Sequence, residues 1–359
     1  MTDSPRIVIP IVAGIGNALL VVPLVQQIKR KIPGCRITVL ARIDAMGEPF
    51  RRMSEVEEVI VTGKGATGVL RMIMASRRRK PGVFVVPFPS NRWQYSLLAA
   101  ASGAKKRVLH SYEIAYWRSL QFLPATRVRA QRGLHDVQQN LNLLRGLAME
   151  PDAPSAPTFC VTEADRAAAE AILRSAGLLP DARPIVLHAG SAQTVLAAAK
   201  RWPARSYALL IDALQAEMGD RIVLVEGPDE VGVTAEILNS RDIARSQSSP
   251  KIVRLNGPLG ETAALLERAQ LYVGSDSGLA HLAAAVGTPA VTLFAPADPD
   301  RVCPFGQREL VVQAPVPCSP CAQYPWHTPY PKVLCQTPLC INSITVDAVL
   351  AKVRSAVRS

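Results

Sequence analysis

The stretch 272–294 constrains this chain most. An apolar segment ends at Gly274, a polar turn of Ser275, Asp276, Ser277 and Gly278 follows, and apolar residues return at helical spacing at Leu279, Leu282, Ala283 and Val286. Gly287 and Pro289 stop that helix, and a second apolar run at 290–294 completes a strand–helix–strand unit. In such a unit the polar turn lies at the carboxyl end of the first strand, where the opening amides of the helix have no backbone partner. Those amides and the positive end of the helix dipole favour an anion, and a phosphate is the expected guest. Gly278 lets a ligand approach the backbone, and His281, four residues after Ser277, shares its face. Serine and aspartate are also ordinary helix caps, so plain capping is the competing reading of the turn.

The same alternation runs through the chain. Strand-like segments at 6–13, 36–41, 59–61, 83–86 and 106–109 are separated by helical stretches such as 92–101, and a helix at 136–148 closes the series. The first strand runs into Gly14, Ile15, Gly16 and Asn17, a glycine-rich turn that lacks the third glycine of a dinucleotide fingerprint. Leu20, Leu24, Val25 and Ile28 then mark one helix face. Pro151, Pro154 and Pro157 form a stiff connector, which bounds a first domain at 1–157. Thr162 caps a helix at 163–176 that Gly177 stops, and strands follow at 185–188, 221–225, 252–255, 271–273 and 290–294. This second domain spans 158–344, and an amphipathic helix fills the end, 345–359. At 359 residues and 48% hydrophobic content, the chain is large enough for two cores, so the expectation is an α/β protein of two doubly wound, Rossmann-like domains.

A net charge of +12 points to partners rather than to fold. Much of the excess sits in the first half, at Arg51 and Arg52, at Arg77, Arg78, Arg79 and Lys80, at Lys105, Lys106 and Arg107, and at Arg127, Arg129 and Arg132. Solvated faces, an anionic acceptor and an anionic membrane leaflet all fit these runs. Nucleic acid does not, because no recognised nucleic-acid module is present and aromatics make up 5% of the chain. The N-terminus lacks the shape of a signal peptide, and the apolar run from Ile7 is broken by Pro10, Gly14, Gly16, Asn17 and Pro23 before it could span a bilayer. The expected location is the cytoplasm, with peripheral attachment to the inner membrane compatible.

The segment 272–294, continuing through Ala295, Pro296, Ala297, Asp298 and Pro299, resembles the signature of glycosyltransferase family nine, the lipopolysaccharide heptosyltransferase family. Three further segments carry the resemblance. His188, Ala189, Gly190 and Ser191 match a phosphate-side turn, and Lys200, Arg201, Trp202 and Pro203 match the basic segment after it. Residues 226–230 are similar to the turn that faces the donor ribose.

The resemblance implies the GT-B architecture, with a cleft between the two domains. It also implies inverting transfer of a heptose or related sugar from a nucleotide diphosphate sugar, ADP-heptose, to a lipopolysaccharide-core-like glycolipid, with no cofactor needed for catalysis. The implied donor-binding set is Gly14, Gly16, Ser191, Lys200, Glu230, Ser275, Asp276, Ser277, Gly278 and His281, and the implied catalytic set is Asn17, Lys200 and Asp276. The physical logic is that negative charge develops on the departing phosphate, where Lys200 and the helix amides can meet it. Asp276 suits sugar hydroxyls better than phosphate, because two anions repel. Asn17 departs from the pattern. Family members often carry aspartate there as general base, and an amide cannot accept the acceptor's proton. That departure keeps alive a nucleotide-sugar epimerase-type enzyme, or a catalytically silent nucleotide-sugar-binding protein, on the same fold.

Seven cysteines complete the reading. Cys35, Cys160 and Cys303 are scattered, whereas Cys318, Cys321, Cys335 and Cys340 share a proline-rich loop with His327. Two thiols at two-residue spacing with two later thiols suit tetrahedral zinc or iron, and free thiols that pack the loop are the alternative. Similar clusters occur late in some members of the resembled family.

Overall fold

Among the described residues, twelve strands pair into two six-stranded sheets, and every strand pairing in them is parallel. The structure, a computed structural model, describes residues 4–113, 116–179, 181–190, 199–219, 221–227, 230, 232–241, 249–313, 316–321, 325–326 and 339–358. The first sheet takes β1 (Arg6–Ile11), β2 (Arg36–Ala41), β3 (Glu58–Val61), β4 (Val83–Val85), β5 (Lys106–Ser111) and β6 (Thr126–Arg129), in the order β3-β2-β1-β4-β5-β6. The second takes β7 (Ile185–His188), β8 (Ile222–Glu226), β9 (Lys251–Arg254), β10 (Leu271–Ser275), β11 (Ala290–Phe294) and β12 (Val311–Gln313), in the order β12-β11-β10-β7-β8-β9. Both sheets therefore share one doubly wound order. It reverses between β1 and β4 in the first and between β7 and β10 in the second. Open α/β sheets bind ligands outside the carboxyl ends of their strands at that reversal.

The chain divides into two compact units. Unit 1 is Met1–Cys160 with Tyr324–Tyr330, and unit 2 is Val161–Gln323 with Pro331–Ser359. The central strands read as unbroken apolar runs because helices cover both of their faces; β7, β10 and β11 are buried along their whole length. In unit 2, Leu187, Leu224, Val273 and Leu293 pack with Tyr207, Ile211 and Leu214, and with Val349 and Val353 of the last helix (Val346–Arg358). Each such aliphatic side chain contributes about 1.5–3 kcal/mol on burial.

Several details differ from the sequence expectation. The first helix is two, α1 (Ile15–Leu19) and α2 (Val22–Lys31), because Pro23 stands in the opening turn of the second and has no amide to continue the ladder. The edge strands β6 and β12 were not foreseen, since neither presents a long apolar run. Part of the basic excess is spent inside the fold. Arg52 pairs with Glu48 at 2.8 Å, Arg51 with Asp44 at 2.6 Å, and Arg79 with Glu58. The segment around Trp326 joins unit 1 rather than the second domain. Asn91 Nδ2 donates to the Pro325 carbonyl at 2.8 Å, and the indole packs against Phe88, Tyr112 and Ala130. Among the described residues, no helix is long and apolar enough to cross a membrane.

Unit 1 also buries a histidine. His110 lies edge-on to Phe88, with ring centroids 5.2 Å apart, and its Nε2 meets the Gln139 carbonyl at 3.0 Å. Burial disfavours the imidazolium and lowers the pKa to about 4, from an ordinary value of 6.5. The unfolded chain therefore binds a proton between pH 6.5 and 4 that the folded chain refuses. Stability is complete above pH 6.5, falls by about 3 kcal/mol as the pH drops to 4, and is insensitive to this group below that. In urea titrations between pH 7 and 4, the wild type should lose about 3 kcal/mol more stability than His110→Leu, the difference that this group contributes.

Candidate functional site

At the order reversal of the second sheet, β7 and β10 end side by side, with His188 in register with Gly274. Gly274 is obligatory there. A Cβ on it would lie 2.6 Å from the Tyr272 hydroxyl and 2.7 Å from the His188 carbonyl. After β10 the chain passes through Asp276 and Ser277 into a helix, Gly278–Ala285. Ser277 occupies the N-cap position in extended backbone, yet its side chain makes no capping bond. Its hydroxyl instead meets Tyr272 Oη at 3.2 Å and His188 Nδ1 at 3.4 Å. Plain capping is therefore not what this serine does, and the opening amides of the helix keep their capacity for an anion.

A buried polar chain extends from that serine. Tyr272 Oη is 3.0 Å from His188 Nδ1, and His188 Nε2 lies 2.9 and 3.1 Å from the two Glu230 oxygens. A carboxylate can only accept, so Nε2 donates to Glu230, and Nδ1 is the ring nitrogen that meets the tyrosine hydroxyl. Burial raises the Glu230 pKa, but the bond from His188, the Gly227 amide at 2.9 Å and the charge of Arg201 outweigh it, and the net shift is downward. Burial likewise drives the Tyr272 and Tyr207 hydroxyls well above the ordinary phenol range, so both remain donors. Glu230 packs onto Gly190 so closely that a Cβ there would sit 1.9 Å from its carboxyl carbon. In the same turn, the Glu226 carboxylate at the end of β8 accepts from the Gly232 amide at 3.0 Å and so caps the helix Val233–Asn239.

Lys200 is placed by its neighbour Trp202. That indole is 3% exposed, stands edge-on to Tyr207 at 5.0 Å, and donates to the Ile344 carbonyl at 2.9 Å. Pro203 then opens the helix Ala204–Met218. So anchored, the Lys200 ammonium forms an ion pair with Asp276, with side-chain exposures of 19% and 8%. Their charges cancel locally. The helix N-terminus, worth roughly half a positive charge, is left to favour an anion.

The fold thus gathers Lys200, Asp276, Ser277 and Gly278 in one place, with His281 buried in the first helical turn. Ser275 is fully buried and its hydroxyl meets Tyr207 at 3.4 Å, so the geometry gives it a supporting place rather than a ligand contact. Glu230 faces His188 instead of standing open for a ribose. Ser191 lies outside the described residues, as do Cys335 and His327. Gly14, Gly16 and Asn17 belong to unit 1, at the carboxyl end of β1. There Gly14 is the N-cap of α1, so Asn17, the third helical residue, is not a cap. Tyr207 and the buried chain through Tyr272 and His188 were missed by sequence reasoning, which read His188 only within a phosphate-side turn. Their signal was a histidine and a tyrosine inside otherwise apolar strands.

Cys318 and Cys321 are exposed and Cys340 is buried. Burial pushes the Cys340 thiol up, and the nearby Cys321 and Cys318 add to this. Among the described residues, no three metal-ligating side chains form a group that could hold an ion. Unit 1 has a cavity of ≈ 280 Å³ lined by Tyr112, Glu113, Arg129, Arg132 and Trp326, with the Arg132 guanidinium 5.5 Å from the Trp326 ring centre.

The model of glycosyltransferase family 9 (heptosyltransferase) matches residues 89–329. Lipopolysaccharide heptosyltransferase 3 of Escherichia coli is 26% identical over 298 residues, covering 79% of this chain and 81% of that protein. Two solved structures share the fold. One is the E. coli ADP-heptose lipopolysaccharide heptosyltransferase II, with a TM-score of 0.73, 20% identity and 98% of each chain covered. The other is the E. coli heptosyltransferase WaaC with ADP, with a TM-score of 0.67, 18% identity, and 98% of this chain and 99% of that one covered. The chain belongs to glycosyltransferase family 9 and is a glycosyltransferase of GT-B architecture.

Proposed function

We propose that this chain is an inverting transferase that moves a heptose from ADP-heptose to a lipopolysaccharide-core acceptor at an anionic membrane surface. The carrying observation is that Lys200 and Asp276 are brought together beside the uncapped start of the helix Gly278–Ala285. The donor diphosphate would rest on those amides. The acceptor oxygen attacks the anomeric carbon from the face opposite the leaving phosphate, the new glycosidic bond forms as the old one breaks, and configuration inverts. Charge growing on the departing ADP is met by the amides and by Lys200, which needs no divalent cation. Asp276 keeps Lys200 aimed and is available to sugar hydroxyls. The buried chain from Glu230 to Ser277 holds both turns still.

Unit 1 carries the acceptor side of this reading, with Arg129, Arg132 and Trp326 around its cavity suited to an anionic sugar. Asn17 can orient the acceptor hydroxyl but cannot take its proton, so another group serves as base. A structural zinc or iron on Cys318, Cys321, Cys335 and Cys340 has no part in this reading of the transfer.

Purified protein should be stabilised against heat by ADP more than by UDP or NAD, and should yield a heptosylated product by mass spectrometry only when acceptor is present. Sugar release or isomerisation without acceptor would instead indicate hydrolysis or epimerisation.

A further inference from the structure

Every exposed aromatic side chain among the described residues lies between positions 93 and 122: Trp93, Tyr116 and Phe122 at 48% exposure each, and Trp117 at 75%. Three of them build on one another. Tyr116 stands edge-on to Trp117 at 5.3 Å, and Trp117 meets Phe122 at 5.7 Å. The segment that bears them is held from beneath by Arg127, whose Nε donates to the Gln121 carbonyl at 2.9 Å and whose Nη2 reaches the Leu120 carbonyl and Ser96 Oγ, each at 3.3 Å. Ser96 lies in the helix Trp93–Ala101, so one arginine fastens the ring cluster to that helix. On it, Trp93 and the 46% exposed Leu97 stand one turn apart on the same face. Soluble surfaces seldom gather exposed aromatics in this way without a partner.

The charge around them identifies the partner's chemistry. From position 86 to 135 the chain carries eight arginine or lysine residues and a single acid, Glu113. Arg92, Lys105 and Arg118 of this set are exposed. Exposed aromatic rings with Arg92 next to Trp93 and Arg118 next to Trp117 in the chain match the headgroup region of an anionic bilayer, where tryptophan, tyrosine and phenylalanine sit at the boundary and cations meet lipid phosphates. Single-stranded nucleic acid suits them less well. Bases stack on open, parallel ring faces, whereas these rings are turned 88° and 45° to one another and pack together.

We propose that this face of unit 1 docks on an anionic lipid bilayer, with Trp117, Tyr116 and Phe122 entering the headgroup layer. The inference extends the proposed use of a membrane glycolipid, but vesicle binding is measured without donor or acceptor, so either can fail alone. The experiment is co-sedimentation of the full chain with vesicles of phosphatidylethanolamine and phosphatidylglycerol, against vesicles of phosphatidylcholine. Wild type should bind the first and not the second, and release as salt rises. Trp117→Ala with Phe122→Ala should bind about tenfold more weakly, with thermal stability unchanged. Trp117→Phe should still bind, but should lose most of the tryptophan quenching that brominated lipid produces in wild type. No sedimentation of wild type with anionic vesicles, equal binding by the double variant, or quenching unaffected by Trp117→Phe would each overturn the proposal. So would displacement of the protein from vesicles by a short single-stranded RNA at matched charge concentration, which would assign the face to nucleic acid.

Discussion

Lys200→Ala is expected to slow sugar transfer about 10²–10³-fold, a loss of about 3–4 kcal/mol of transition-state stabilisation, the usual result of removing one preorganised donor to developing charge. Asp276→Asn should separate two roles. Without its carboxylate partner the Lys200 charge is no longer cancelled, so ADP should bind more tightly while transfer falls. The single variants carry a complication with a physical origin. Removing Lys200 leaves a carboxylate at 8% exposure without its ammonium, and unpaired buried charge destabilises the fold. The double variant Lys200→Ala with Asp276→Asn should therefore melt higher than Lys200→Ala alone while remaining as slow. Calorimetric titration of ADP, melting curves and transfer rates on the four proteins test this. Full transfer activity in a folded Lys200→Ala protein would remove Lys200 from the mechanism.

Gly274→Ala is expected to be the most damaging single methyl in unit 2. The new Cβ meets the His188 carbonyl at 2.7 Å, and backbone atoms in adjacent strands cannot yield as a flexible side chain can. Overpacking of this kind costs about 1–3 kcal/mol, which lowers the melting temperature by about 2–4 °C per kcal/mol in a domain of this size. The tyrosine hydroxyl at 2.6 Å must also move, which parts Tyr272 from His188 and Ser277, so stabilisation by ADP should be lost with it. Gly14→Ala is the matched comparison. Its φ is −64° and its Cβ would meet nothing within 4 Å, so its stability should be close to wild type. Equal melting temperatures for the two variants would show that the close approach of β7 and β10 does not constrain the site.

Much of this architecture is legible in the chain itself because a doubly wound domain writes its strands as apolar runs and its helices as amphipathic periods. β2, β7 and β11 fall where the runs stand, and Thr162 caps its helix through a reciprocal bond with Asp165, as a threonine before an acidic first turn should. The edge strands β3 and β9 were read from their apolar runs, whereas β6 and β12 escaped because they are short and carry little apolar signal. β6 alternates Arg127 and Arg129 with Thr126 and Val128, so it reads as a basic surface. Within the candidate site, the turn from Asp276 to Gly278 could be read because local chemistry governs it. The pairing of Lys200 with Asp276 joins residues 76 apart in sequence, and only the sheet order brings them together. The bond from His188 to Glu230, and the return of Trp326 to unit 1, are likewise long-range and leave no periodicity to detect.

The most direct measurement is a crystal structure of the protein with ADP. The expected result places the β-phosphate within about 2.7–3.1 Å of the amides that open the helix Gly278–Ala285, and within reach of the Lys200 ammonium. A nucleotide bound elsewhere, or a β-phosphate that touches neither those amides nor Lys200, would contradict it.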